Sequence, residues 1–513
     1  MQVETLPSPD VASGEKDAAR LHIRGSSLLL VGQCLSLSIN FAAQVLVVRY
    51  FSMGDYGALA FGLGIASLFQ IVAVLGLNEA IARFVPIYHQ NREYEKLLGT
   101  ILLATGVVTF SAVLIILAVH GPLSSYLTHE KLAIRLLSIV IFLVPVDAAD
   151  ALLDALFASF AGTRDIFFRK YVLGPGLKFG VVLFLIWRHS TITFLAYGYL
   201  LASAAGVLAY IWMLLRLLDD QGLLGRLKSL RIQIPTSEVL SFVLPGLSST
   251  LATASIASIN IFLLGHMRSM PEVAFYRAVV PAAQLNGLVM ASFSLLYIPS
   301  AARLFASEDY AGFNKLYWQT AAWMSVVSFP IFAVTFSLSR PLTVLLFGIR
   351  YQQSGAILAL LSLGSYFNTA LGFNLQTLKV LGRMRYIVIV SAVGVAIDVA
   401  ACLFLIPRYG ALGAGIATAV ALVSLNLLLQ AGLLPTPNFK ALDRHYLSVY
   451  LAIVLCSGGL LLVQSLWSLS LYFAVPLSAC VALLVLAVAK KKLNILETFP
   501  ELLGLPFTRL LLT

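Results

Sequence analysis

Three basic side chains of this 513-residue chain, Arg135, Lys178 and Arg277, stand inside long apolar runs. A charge near the centre of a bilayer costs about 2.5–3.5 kcal/mol on insertion scales, so such groups mark a partner or a task. Lys178 follows the helix-loosening Gly174-Pro175-Gly176. Its ammonium either meets an anion in a wet cavity or neutralises Asp147 or Asp150. Asp147, Asp150 and Asp154 recur at i, i+3 and i+7, one face of a helix. Lipid would not accept three carboxylates, so that face turns to protein or water. There it offers a proton or cation site, or pairs with Lys178, Arg164 or Arg169. Asp398, alone in its run, is a second candidate for proton or cation coupling, or a hydrogen-bonded core carboxyl. Glu79 and Arg83, four apart, suit an ion pair or a gate. Arg277 and Arg49 lie near run ends, where an anion contact and snorkelling both fit, and Arg135 reads as an interfacial anchor.

The elements that must hold these groups follow from composition. Hydrophobic residues make up 60% of the chain and charged residues 11%, against about 25% charged in a soluble domain. That excludes a soluble enzyme, a nucleic-acid module and a disordered scaffold. The formal charge of +11 falls in short clusters between apolar runs, a membrane orientation signal and not a nucleic-acid patch. Cys34, Cys402, Cys456 and Cys480 all sit in apolar runs without metal-ligand spacing. No metal site, cofactor or catalytic group is expected.

Fourteen runs are long enough to cross about 30 Å of hydrocarbon. With the N-terminus inside, cytoplasmic segments hold 24 of the 34 Lys and Arg residues and outer segments hold 7, as the positive-inside rule requires. The expected fold is therefore an all-α polytopic membrane protein with fourteen transmembrane helices and both termini cytoplasmic. Residues 1–24 read as a disordered tail, 25–218 as a six-helix lobe, and 219–238 as an amphipathic linker carrying Leu223, Leu224, Leu227 and Leu230 beside Arg226, Lys228 and Arg231. Residues 239–434 form a second six-helix lobe, 435–489 a terminal helix pair, and 490–513 a cytoplasmic tail.

The lobes echo each other. Ser52-Met53-Gly54-Asp55 returns as Ser269-Met270-Pro271-Glu272, 217 residues on. Glu93-Tyr94 through Lys96-Leu97 returns as Asp309-Tyr310 through Lys315-Leu316, and Gly162-Thr163-Arg164 as Gly382-Arg383-Met384-Arg385. The offset spans an even number of helices, so both copies face the same way, a common transporter plan.

Tyr50-Phe51-Ser52-Met53-Gly54-Asp55-Tyr56-Gly57 resembles the first-loop signature of polysaccharide-unit flippases in the multidrug/oligosaccharidyl-lipid/polysaccharide exporter superfamily. Leu75 to Phe84 resembles the end of their second helix. Leu346-Phe347-Gly348-Ile349-Arg350-Tyr351 resembles the loop before their tenth, though an acid often stands where Arg350 is. Pro407-Arg408-Tyr409-Gly410-Ala411-Leu412-Gly413 is the most distinctive match, entering the twelfth. The resemblance, covering about Gly25 to Ala489, implies a flippase in the bacterial inner membrane. Its cargo would be an undecaprenyl-pyrophosphate-linked sugar unit, moved outward by alternating access through a cationic central cavity. Lys178, Arg277 and Arg49 would then contact the diphosphate, with Asp147, Asp150 and Asp398 as coupling sites and Glu79–Arg83 as the gate pair. Its partners would be the polyprenyl-pyrophosphate-linked glycan, membrane lipids, and the polymerase and assembly proteins of the polymer. A multidrug antiporter and a lipid II flippase of the same superfamily are the nearest rivals, the latter lacking here the arginine-dense first helix it would need. A polymerase or ligase would need a larger outer loop with catalytic residues than Ser339–Gln353 supplies. No nucleotide-binding loop appears, so ATP is not the direct driver.

Overall fold

The computed structural model describes residues 9–160, 166–220, 232–467, 470–490 and 492–493, apart from the side chains within 9–27, 122–125 and 244–257 and of a few single residues. Among the described residues the regular secondary structure is helical. The order begins α1 (Pro9–Tyr50), α2 (Met53–Val74), α3 (Leu77–Gln90), α4 (Tyr94–Ala118), α5 (Ser124–Leu127), α6 (Lys131–Val140), α7 (Leu143–Phe160), α8 (Gly174–Arg188) and α9 (Ile192–Asp220). It continues α10 (Thr236–Met267), α11 (Met270–Gln284), α12 (Leu288–Ala306), α13 (Tyr310–Phe332), α14 (Ser339–Phe347), α15 (Ser354–Ala370) and α16 (Asn374–Val380). The last four are α17 (Met384–Tyr409), α18 (Ala411–Ala431), α19 (Leu447–Trp467) and α20 (Leu471–Ala489).

Twelve helical segments among the described residues are long and apolar enough to cross a membrane. A thirteenth is gained if Met270–Ser294 and Leu296–Ala306, bent by 51°, count as one span. The chain is thus a multi-pass helical membrane protein, and the expected fourteen spans are matched except at the seventh and eighth. The seventh run falls in α10, where only Ser258–Met267 registers as a short apolar helix and the side chains of 244–257 lie outside the described residues. The expected tail differs too, because α1 begins at Pro9 and takes in residues 9–24. Pro9 at the first helical position, with Ala12, Glu15, Lys16, Ala18, Ala19 and Arg20 after it, supplies favourable helix formers. Of the linker's amphipathic stretch, residues 221–231 lie outside the described residues, as do 1–8, 161–165 and 494–513.

Several spans are broken where the sequence dictates. Leu75 and Gly76 take positive φ values of 50° and 73° between α2 and α3. Pro145 sits in the first turn of α7 and has no N–H for the carbonyl of Ile141, where the preceding helix ends. Pro330 lies near the end of α13, directly ahead of a π-type turn over Ala333–Ser337.

Contacts group the chain into two units. The first comprises residues 1–50, 69–122 and 138–244. In it α3 packs on α4 and α7, and α8 packs on α1 and α9. The second comprises 51–68, 123–137 and 245–513. Here α18 lies against α15 and α17, α11 packs on α15, and α13 touches α12, α15, α19 and α20. Its core is aromatic: Tyr366 stacks on Phe332 with ring centroids 4.0 Å apart, and Tyr297 on Phe373 at 4.7 Å. Within this unit Gly57 of α2 rests on the Met270 backbone so closely that a Cβ would overlap the Met270 carbonyl. The first-loop stretch Tyr50–Gly57 therefore meets the motif at Ser269–Glu272.

Candidate functional site

In the first unit a polar cavity of about 200 Å³ is lined by Asp147, Asp150 and Asp154 of α7, Arg169 and Lys170 of the π-type turn over Phe167–Leu173, and Lys178 of α8. Asn40, Ser36 and Ser203 complete its polar wall. The i, i+3, i+7 spacing of the three aspartates thus delivers them to one wet pocket. The fold assigns their partners. Arg169, 5% exposed, pairs with Asp150 and, at 3.3 Å, with Asp154, while Lys170 Nζ lies 2.8 Å from Asp154. The Arg169 guanidinium lies 3.7 Å from the Tyr210 ring centroid, and Tyr210 in turn stacks on Phe157 at 4.3 Å. A cation clamped between carboxylates and a π face is held rigidly and has little left to offer a ligand.

Lys178 is different. It is half-buried in the same cavity, and no described carboxylate comes within ion-pair distance of its ammonium. Arg169 therefore takes the role of neutralising Asp150, whereas Asp147, on the wall of the same cavity, interacts with Lys178 through its charge alone. Arg164 lies outside the described residues.

In the second unit Arg277 lines a larger cavity, about 430 Å³, with Gln284, Asn368, Gln376 and Ser391 among its polar groups and Leu361, Leu422 and Leu429 among its apolar ones. Such a lining suits a ligand with both an anionic or hydroxylated part and an apolar one. The Gln376 side-chain oxygen is buried there without a hydrogen-bond partner.

Behind this cavity Asp398 is fully buried. Asn260 Nδ2 donates to Thr418 Oγ1 at 2.7 Å, and lies 3.4 Å from both Asp398 Oδ1 and Tyr276 Oη. Cys402 Sγ donates to Asn260 Oδ1 at 2.8 Å, and Tyr276 and Thr418 share a 2.9 Å hydrogen bond. Tyr276 and Thr418 also line the Arg277 cavity, so they bridge it to Asp398. The second oxygen of Asp398 has no partner. Among the described residues no group of three or more His, Cys, Asp or Glu side chains could hold a metal ion.

The remaining sequence candidates lie elsewhere. Arg49, at the last turn of α1, is exposed and belongs to the lining of neither cavity. Glu79 and Arg83 are exposed on α3, and the Arg83 guanidinium lies 4.4 Å over the Phe242 ring, not on Glu79. Asn40, Gln284 and Asn368 line these cavities, whereas Asn260 and Asn286 are buried in hydrogen bonds. Sequence reasoning missed the weight of Arg169, Tyr210, Tyr276 and Thr418. Only the Arg-Lys doublet at 169–170 beside the acidic face of α7 could have pointed to the first of these.

Long apolar helices, several of them broken, around two polar cavities define a multi-pass helical membrane fold, and solved structures share it. The fold is shared with a lipid II flippase, MurJ, in an inward closed conformation, at TM-score 0.70 and 16% identity over 90% of this chain and 99% of that one. It is also shared with an inward-facing multidrug resistance transporter of the MATE family in the MOP superfamily, at 0.56 and 15% over 77% and 92%. The chain belongs to the polysaccharide biosynthesis protein family, whose pattern matches residues 22–305. A Shigella flexneri protein described as "Putative O-antigen transporter" is 24% identical over 170 residues, 33% of this chain and 40% of its own length. The match therefore spans two fifths of that relative. The resemblance to polysaccharide-unit proteins read from the motif at Tyr50–Gly57 is borne out at the level of that family, and the fold is shared with these exporters.

Proposed function

We propose that this protein is a flippase that carries an undecaprenyl-pyrophosphate-linked polysaccharide unit from the cytoplasmic to the outer leaflet of a bacterial inner membrane. The observation that carries this reading is Lys178: a half-buried ammonium in a polar intramembrane cavity, with the neighbouring aspartates Asp150 and Asp154 already engaged by Arg169 and Lys170. A group of that kind suits a diphosphate. Arg277, on the wall of an amphipathic cavity in the other unit, is the second candidate contact for an anionic head group. Family membership in polysaccharide biosynthesis supports the glycan part of the cargo.

The transport cycle is alternating access. Fourteen spans in two six-helix lobes and a terminal pair, with both termini cytoplasmic, complete the topology, and the protein performs no covalent chemistry of its own. Moving about two negative charges outward across about 100 mV releases up to roughly 4–5 kcal/mol, enough to bias export. Asp147, Asp150 and Asp398 supply a proton or cation exchange that adds to this bias. Polymerase and assembly proteins would receive the flipped unit.

The experiment is deletion of the gene with analysis of lipid-linked intermediates, followed by complementation with Lys178→Ala and Lys178→Arg. Accumulated cytoplasmic-leaflet intermediate, rescued by Lys178→Arg but not by Lys178→Ala, is the expected result. Full rescue by Lys178→Ala removes the site assignment. Flipping in vesicles that ignores both an imposed potential and ion gradients removes the energetic one.

A further inference from the structure

A third cavity, about 930 Å³, lies in the second unit apart from the two described above. Three stretches far apart in sequence build it: the start of α13, the loop between α18 and α19, and the residues that follow α20. The charge balance places all three on the cytoplasmic side. Each brings a lysine, namely Lys315, Lys440 and Lys492, and His445 joins them. Asp443 is the one acid among the residues lining it.

The bowl is rigid before any ligand arrives. Asn314 Oδ1 accepts the Lys440 backbone N–H at 2.9 Å, and Trp318 Nε1 donates to the Lys440 carbonyl at 3.0 Å. Asp443 caps the turn at His445, accepting its backbone N–H at 3.1 Å, and the His445 ring reaches the Lys492 carbonyl at 3.4 Å. Buried Phe439, Tyr446 and Leu493 form its apolar floor. The three ammonium groups are left largely uncommitted. Lys440 makes only an exposed 3.7 Å contact with Asp443, worth little in water, and no described carboxylate pairs with Lys315 or Lys492.

We infer that this bowl, at the membrane ends of α13, α19 and α20, is a binding site for the phosphate of an anionic phospholipid headgroup. A basic, preorganised hollow between spanning helices, with an apolar floor at headgroup depth, recognises a phosphate attached to acyl chains better than a free one. Its occupant would tie the terminal helix pair to α13. The inference rests on the orientation proposed above but not on the transported cargo.

The test uses the full-length protein, purified and reconstituted in vesicles of phosphatidylcholine alone or with phosphatidylglycerol or cardiolipin. Native mass spectrometry counts retained lipids, and thermal unfolding reads their effect. The wild type should retain an anionic lipid and unfold at higher temperature with it. Each of Lys315→Ala, Lys440→Ala and Lys492→Ala should weaken retention by about fivefold, whereas Lys131→Ala, the same charge change outside the cavity, should not. Asp443→Asn keeps a capping oxygen and removes the only acid, so it should tighten retention, a gain that misfolding cannot imitate. Inorganic phosphate at millimolar concentration should compete weakly. Equal retention by the triple-lysine variant, or an equal loss in Lys131→Ala, overturns the site. Displacement of the lipid by inorganic phosphate at equal concentration overturns the lipid as its ligand.

Discussion

The carboxylate of Glu272 accepts the backbone N–H of Ala411 at 2.7 Å, joining the start of α11 to the first turn of α18 across 139 residues. Glu272 belongs to the motif that echoes Ser52-Met53-Gly54-Asp55, and Ala411 to the most distinctive family match. One charge-assisted cap thus connects the two features that the sequence offered separately. Gly410, at φ 57°, lets the chain turn into α18, and a Cβ there would lie 2.7 Å from the Glu272 carboxylate.

Loss of that cap should be measurable as stability. Glu272→Ala should lower unfolding free energy by about 1–2 kcal/mol, and Glu272→Gln, which still offers an oxygen, by less. Gly410→Ala should resemble Glu272→Ala or exceed it, because it displaces the carboxylate and strains the backbone. Thermal unfolding of the detergent-purified protein, followed by circular dichroism, checks the order.

The contact between the repeats at Gly57 is tighter still. Gly57→Ala places a methyl group on the Met270 backbone carbonyl, which cannot swing aside as a side chain would. Folded yield should fall sharply. Gly106→Ala, where a Cβ meets nothing within 4 Å, should express as the wild type does.

Arg169 and Lys178 should separate stability from transport. Arg169→Ala leaves Asp150 without its cation and Asp154 with Lys170 alone, and it removes the guanidinium from Tyr210. It should cost up to about 3 kcal/mol, part of which Asp150→Asn should restore in the double variant. Lys178→Ala should leave the unfolding midpoint unchanged and abolish export of the lipid-linked intermediate. If both variants lost stability equally, the distinction drawn between a clamped cation and an available one would be wrong.

Asp398 makes a different forecast. Its buried second oxygen has no partner, so Asp398→Asn should keep or raise stability, since an amide avoids the burial of a charge. Flipping in vesicles should lose its response to a proton or sodium gradient while retaining its response to membrane potential. Unchanged ion dependence would remove Asp398 from the coupling role.

Sequence alone determined the class of this protein. Sixty per cent apolar residues with 11% charged leave no soluble option, and a helix must satisfy its own backbone in lipid. Span length, charge alternation and the 3.6-residue period are local properties, so six spans before residue 220 and six from Tyr310 onward were legible. So was the shared face of Asp147, Asp150 and Asp154. Tertiary structure decided who meets whom. Arg169 reads as one of three cations able to pair with the α7 aspartates, and a π-type turn sets it against Asp150 and over the ring of Tyr210, 41 residues on. Asn260 lies in an apolar run with nothing in its spacing to name a partner, and the fold joins it to Asp398, Cys402 and Thr418. Such partnerships depend on how each helix is rotated against neighbours distant in sequence. That rotation is set by the packing of whole surfaces, which no local spacing encodes.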